Sequence, residues 1–146
     1  MGEYTVSLTV RKGFEAMAFY QKALGTESLV QMGTPETGLW HGEMLLDGKT
    51  IYISDEAEEF GAKAPLEGQM APSLITIEVD NADAAFARAE AAGMKPLLPV
   101  ADQFWGDRCG TLVDPYGYRW CMNQHLEDLT PEEVQKRAEA IFAQQQ

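Results

Sequence analysis

The chain has 146 residues, 23 acidic and 11 basic, for a net charge of −12 at neutral pH. That length suits one domain with a substantial core. The charge repels phosphate backbones and anionic lipid, which argues against nucleic-acid and membrane partners and favours cationic ligands. Two cysteines, Cys109 and Cys121, and no charged-then-apolar leader predict a reduced, cytoplasmic setting without a disulfide framework. No apolar run approaches the roughly 20 residues of a membrane-spanning helix.

Tyr4 to Val10 alternates and is rich in strand-forming residues, whereas Phe14, Met17, Tyr20 and Leu24 recur at the period of a helix face. Gly25 stops that helix. Ser28 to Met32, Leu39 to Leu46 and Thr50 to Ser54 read as strands, the last two joined by the hairpin dipeptide Asp47-Gly48. Residues 3–56 thus form a β-α-β-β-β module, and residues 57–70 form an aperiodic linker.

The same order returns over residues 71–125. Ser73 to Val79 reads as a strand, Ala82 to Ala92 as a helix capped by Asn81 or Asp80, and Gly93 as its stop. Lys95 to Val100, Gly110 to Val113 and Arg119 to Asn123 complete the set, with a tight turn at Asp114-Pro115-Tyr116-Gly117. Gly25 and Gly93 are 68 residues apart, as are Gly42 and Gly110; Val10 and Val79 are 69 apart, as are Gly48 and Gly117. A constant register of this kind marks an internal repeat. After the repeat, Thr130-Pro131-Glu132-Glu133 opens a helix over residues 130–144 with a capping threonine and a proline at the first position. Its stripe of Val134, Ala138, Ile141 and Phe142 packs either on the domain or on a second subunit.

Several phrases carry a resemblance. They are Ala18-Phe19-Tyr20-Gln21-Lys22-Ala23-Leu24-Gly25, Trp40-His41-Gly42-Glu43-Met44, Phe104-Trp105-Gly106-Asp107-Arg108, and Thr111 to Trp120 around the Asp-Pro-Tyr-Gly turn. Over almost its full length the chain resembles the glyoxalase/bleomycin-resistance/dioxygenase (vicinal oxygen chelate) superfamily, and within it the PhnB-like branch. The resemblance implies an α+β fold in which two tandem modules curl into an open half-barrel around a cavity. It also implies a homodimer and a small-molecule ligand. In metal-using relatives, four cavity-facing positions supply the metal ligands, and these fall here on Thr5, Tyr52, Leu74 and Cys121.

Leucine donates nothing, and threonine and tyrosine are poor neutral ligands, so this set predicts no bound metal and no cofactor. His41 and His125 fall outside the implied ligand positions and read as surface or edge residues. Cys121, between Trp120 and Met122, reads as a small buried side chain. Trp40, Tyr52, Phe104, Trp105 and Trp120 remain to line the cavity mouth, with Asp107 and Arg108 beside them and able to pair with each other. Such a lining suits a flat or amphipathic molecule. Three functions stay open: metal-independent binding of a small, cationic or aromatic, antibiotic-like molecule; a metal-dependent enzyme using other residues such as His41 with Glu43 or Glu78; and a partner-binding subunit with a filled cavity.

Overall fold

A computed structural model describes residues 2–144. The first module runs β1 (Val6–Val10), α1 (Gly13–Leu24), β2 (Glu27–Thr34), β3 (Gly38–Leu46) and β4 (Lys49–Asp55). The second runs β5 (Leu74–Glu78), α2 (Ala82–Ala92), β6 (Lys95–Asp102), β7 (Asp107–Val113) and β8 (Arg119–His125), followed by α3 (Pro131–Ala143). The sheets have the equivalent orders β1-β4-β3-β2 and β5-β8-β7-β6. β1 and β5 pair parallel to β4 and β8, and the remaining pairs are antiparallel. The two mixed sheets do not close into a barrel, and the fold is α+β as expected.

The local signals act where the sequence places them. Asp47 and Gly48 both take positive φ, 48° and 78°, as a two-residue hairpin requires. Asn81 caps α2 by accepting the Ala84 amide, and Thr130 caps α3 by accepting the Glu133 amide. Strand ends run further than the alternation predicts. β7 begins at Asp107 because Asp107 and Arg108 continue the ladder opposite His125 and Gln124, each with its charge satisfied by a neighbour. The linker, expected to be aperiodic, contains a single 3-10 turn at Glu58–Phe60.

The repeated glycines mark where each helix meets its sheet. A methyl group on Gly42 would lie 2.8 Å from the Met17 sulfur, and one on Gly110 would lie 2.8 Å from the Phe86 ring. Each helix therefore seats a large side chain directly on a glycine of the third strand of its module, which accounts for the 68-residue recurrence. The helix-facing sides of both sheets feed one core. It includes Leu8, Met17, Tyr20, Ile53, Leu112, Trp120 and Met122.

The modules are joined through Asp114. Its carboxylate accepts hydrogen bonds from the Tyr20 hydroxyl of α1 (2.5 Å), the Trp120 indole (2.8 Å) and the Tyr116 and Tyr118 amides (2.8 and 3.0 Å). Nearby, the Tyr118 hydroxyl accepts from the Thr9 amide and donates to the Thr9 carbonyl, tying the β7–β8 turn to β1. The C-terminal helix takes no part in this core. Among the described residues its backbone closely approaches no strand or other helix, and it is held by Arg137 paired with Glu127 and by Phe142 against Phe104. Among the described residues, no helix is long and apolar enough to cross a membrane.

Replacing Asp114 with alanine leaves the buried Tyr20 hydroxyl and Trp120 indole unpartnered. The variant is expected to lose about 3 kcal/mol, whereas Tyr20→Phe should lose about 1 kcal/mol. Gly110→Ala overpacks the α2 seat and should cost about 1–3 kcal/mol. Urea midpoints at unchanged slope measure all three.

Candidate functional site

Side-chain alternation gives each sheet a face against the helices and an open face. On the first open face, Glu43 pairs across the ladder with Tyr52, and His41 lies diagonally beside Tyr52. The His41 Nε2 is 3.0 Å from the Glu43 carboxylate, and its ring meets Tyr52 edge-on with centroids 5.0 Å apart. The second open face carries Leu74, Thr76 and Glu78 of β5, Cys121 and Asn123 of β8, and Cys109 and Thr111 of β7.

This second face is densely hydrogen-bonded. The buried Asn123 amide donates to both Glu78 oxygens (3.0 and 3.1 Å) and to Asp107 (3.1 Å). His125 is held between Asp128 at 2.7 Å and Asp107 at 3.3 Å. Those two carboxylates, Asp128 foremost, raise the His125 pKa above its usual value. Burial pushes the Cys109 thiol up to about 11, reinforced by the adjoining Cys121. The Cys109 thiol is therefore protonated at neutral pH.

The expected site residues divide into two groups. Tyr52, Leu74 and Cys121 stand on the open faces, 37%, 47% and 6% exposed, and Thr5 is exposed just ahead of β1. Trp40 is 66% exposed at an irregularity in β3, where the register passes from Met32–His41 to Gly33–Leu39 and leaves it unpaired. Phe104 and Trp105 stack edge-on, 4.9 Å apart, in the turn before β7. Arg108 points to the helix side and forms salt bridges with Asp83 and Asp102, each at 2.8 Å. The expected Asp107–Arg108 pair does not form, because neighbouring strand residues point to opposite faces. For the same reason Trp120, expected at the cavity mouth, is completely buried on the helix face.

His125, expected as a surface or edge residue, is exposed and makes two carboxylate contacts. Sequence reasoning did not bring Cys109 to the open face, although its position 68 residues after His41 encodes the placement. Where the modules meet, Tyr4, Val6 and Ile51 face Ile75, Ile77 and Glu78 across a cleft of about 390 Å³.

The residues at the four implied ligand positions do not fit a divalent metal. Thr5 and Tyr52 offer neutral oxygens, Leu74 offers nothing, and Cys121 offers one buried thiol. Among the described residues, no group of three or more His, Cys, Asp or Glu side chains is placed to hold a metal ion.

The chain belongs to the Glyoxalase/Bleomycin resistance protein/Dioxygenase superfamily, whose family model matches residues 4–122. It is 30% identical over 131 residues to an uncharacterized protein of Mycobacterium bovis, covering 88% of this chain and 86% of that one. Among solved structures it is similar to TioX from Micromonospora sp. ML1, with a TM-score of 0.69 and 21% identity, covering 86% of this chain and 100% of TioX. It is also similar to the genomically encoded fosfomycin resistance protein FosX from Listeria monocytogenes, complexed with Mn(II) and sulfate. There the TM-score is 0.65 and the identity 18%, covering 90% of this chain and 95% of FosX. At these identities the two structures establish the shared fold.

The carboxylate pair around His125 is directly testable by NMR. Its ring should titrate above 6.5, and Asp128→Asn should bring the midpoint down toward that value. Because the folded-state pKa is raised, the associated stabilisation is complete below the unfolded value and is lost as pH rises through the folded one.

Proposed function

We propose that this protein is a metal-independent binder of a small cationic, aromatic, antibiotic-like molecule, that it belongs to the PhnB-like branch of its superfamily, and that it works as a homodimer. The observation that carries this reading is the absence of a divalent donor set at Thr5, Tyr52, Leu74 and Cys121, on faces that still present the His41 and Tyr52 rings and the carboxylates of Glu43, Glu78 and Asp107. Rings supply contact area, and a few carboxylates fix orientation. The net charge of −12 concentrates cations near the surface. The superfamily includes bleomycin resistance proteins, and one fold relative is a fosfomycin resistance protein, so an antibiotic-type ligand has precedent on this architecture.

Two features support the homodimer. Ile141 and Phe142 of the α3 stripe are 39% and 54% exposed, and the open faces leave Tyr52 and Leu74 in solvent. A second copy would cover both and complete the site. Light scattering should return about twice the 16.2 kDa chain mass; a monomer at working concentration contradicts a shared site.

Chelator-stripped protein is the material for the ligand test. At a hundredfold excess over the dissociation constant, a planar aromatic cation should stabilise the native state by about 2.7 kcal/mol. That corresponds to a melting-point rise on the order of 5–10 °C for a chain of this size. Mn(II) or Zn(II) alone should produce no saturable shift. Stoichiometric stabilisation by metal overturns the reading and favours the second one, a metal-dependent enzyme of the same superfamily. The observation behind that alternative is the His41–Glu43 pair beside Tyr52.

A further inference from the structure

We propose that Cys109 and Cys121 form a dithiol site that captures trivalent arsenicals of the type RAs(OH)2 on the open face of the second sheet. The inference shares that face with the ligand reading above, but its test reads thiol chemistry, so the two can fail separately.

The β7–β8 register pairs Thr111 with Cys121 and Cys109 with Asn123, which sets the two cysteines diagonally on one face. The equivalent diagonal in the first module holds His41 and Tyr52, whose rings are 5.0 Å apart, so this position brings side chains into contact in both halves. In the second module the same diagonal sets thiol beside thiol, and the neighbouring Cys121 adds to the upward shift that burial gives Cys109. Cys121 is buried and Cys109 is partly exposed, giving an incoming reagent one accessible sulfur and a second immediately behind it.

Three chemistries could use such a pair, and the surroundings select one. A direct disulfide needs Cα atoms about 4.4–6.8 Å apart, whereas diagonal neighbours in an antiparallel ladder stand about 7–8 Å apart. A bridging atom bonded to both sulfurs spans that wider gap. Zinc would need further donors and ionised sulfurs. Among the described residues no third metal-ligating group converges, and burial with Asp107 nearby keeps the Cys109 thiol protonated, with its pKa near 11.

A trivalent arsenical avoids both obstacles. Each thiol proton passes to an arsenic-bound hydroxide, each As–O bond is replaced by an As–S bond, and two waters leave. Arsenic stays trivalent and no electrons are transferred. The product is neutral, so no uncompensated charge is created beside the buried Cys121.

The probe is phenylarsine oxide, and the readout is intact mass under native conditions. Wild-type protein should take up one equivalent, keep it in excess β-mercaptoethanol and release it to 2,3-dimercaptopropanol. Cys109→Ala and Cys121→Ala should each hold the arsenical roughly 100-fold more weakly or worse, the loss expected when the second linked donor is removed. Matching urea midpoints verify that each variant folds. If Cys121→Ala is destabilised, the partly exposed Cys109 supplies the decisive variant. The proposal is overturned if native wild type takes up no arsenical, takes it up only in urea, or if Cys109→Ala retains a monothiol-resistant adduct.

Discussion

One carboxylate organises the molecule. Asp114 lies at 5% exposure in the turn between β7 and β8, and receives a hydroxyl from the first module's helix, an indole from its own sheet and two turn amides. Burial alone would expel a charge from such a place, and it does raise the Asp114 pKa. The four donors offset that penalty and make the carboxylate the natural occupant. A single acceptor thereby fixes how α1 seats against β8, and with it how the helix-facing sides of the two sheets share one core.

With the helix sides committed to that core, the open sides follow from alternation. Every residue one position from a core residue in β4, β7 or β8 points away from the helices. Trp120 and Met122 are core, so Cys121 and Asn123 must be open; Ile51 and Ile53 are core, so Tyr52 must be open. The site is therefore a consequence of packing elsewhere. Its chemistry comes from the residues at those positions: an aromatic and carboxylate set on one face, a thiol, amide and carboxylate set on the other.

Much of this was readable from the chain. The spacings between Gly25 and Gly93 and between Gly42 and Gly110 revealed the repeat because they mark a helix stop and a helix seat, places where a side chain has no room or the wrong backbone angle. The repeat register then carried Tyr52 and Cys121 to equivalent positions. Three features were hidden for physical reasons. Trp40 sits at a strand irregularity, where alternation ceases to predict direction. Arg108 is drawn to Asp83 of α2, 25 residues away, a pairing set by tertiary approach that no local pattern encodes. The α3 stripe shows an amphipathic helix in sequence, but periodicity is silent on whether its partner lies in the same chain.

We propose that a small aromatic cation binds the open faces without a metal. Amide chemical-shift mapping of chelator-stripped protein during titration with a planar aromatic cation tests this most directly. Saturable perturbations should concentrate at Thr5, His41, Tyr52, Leu74 to Glu78 and Cys121 to Asn123, at the same midpoint with and without chelator. Perturbations confined to the helix side around Phe19 and Tyr116, or appearing only after Mn(II) or Zn(II) is restored, would contradict it.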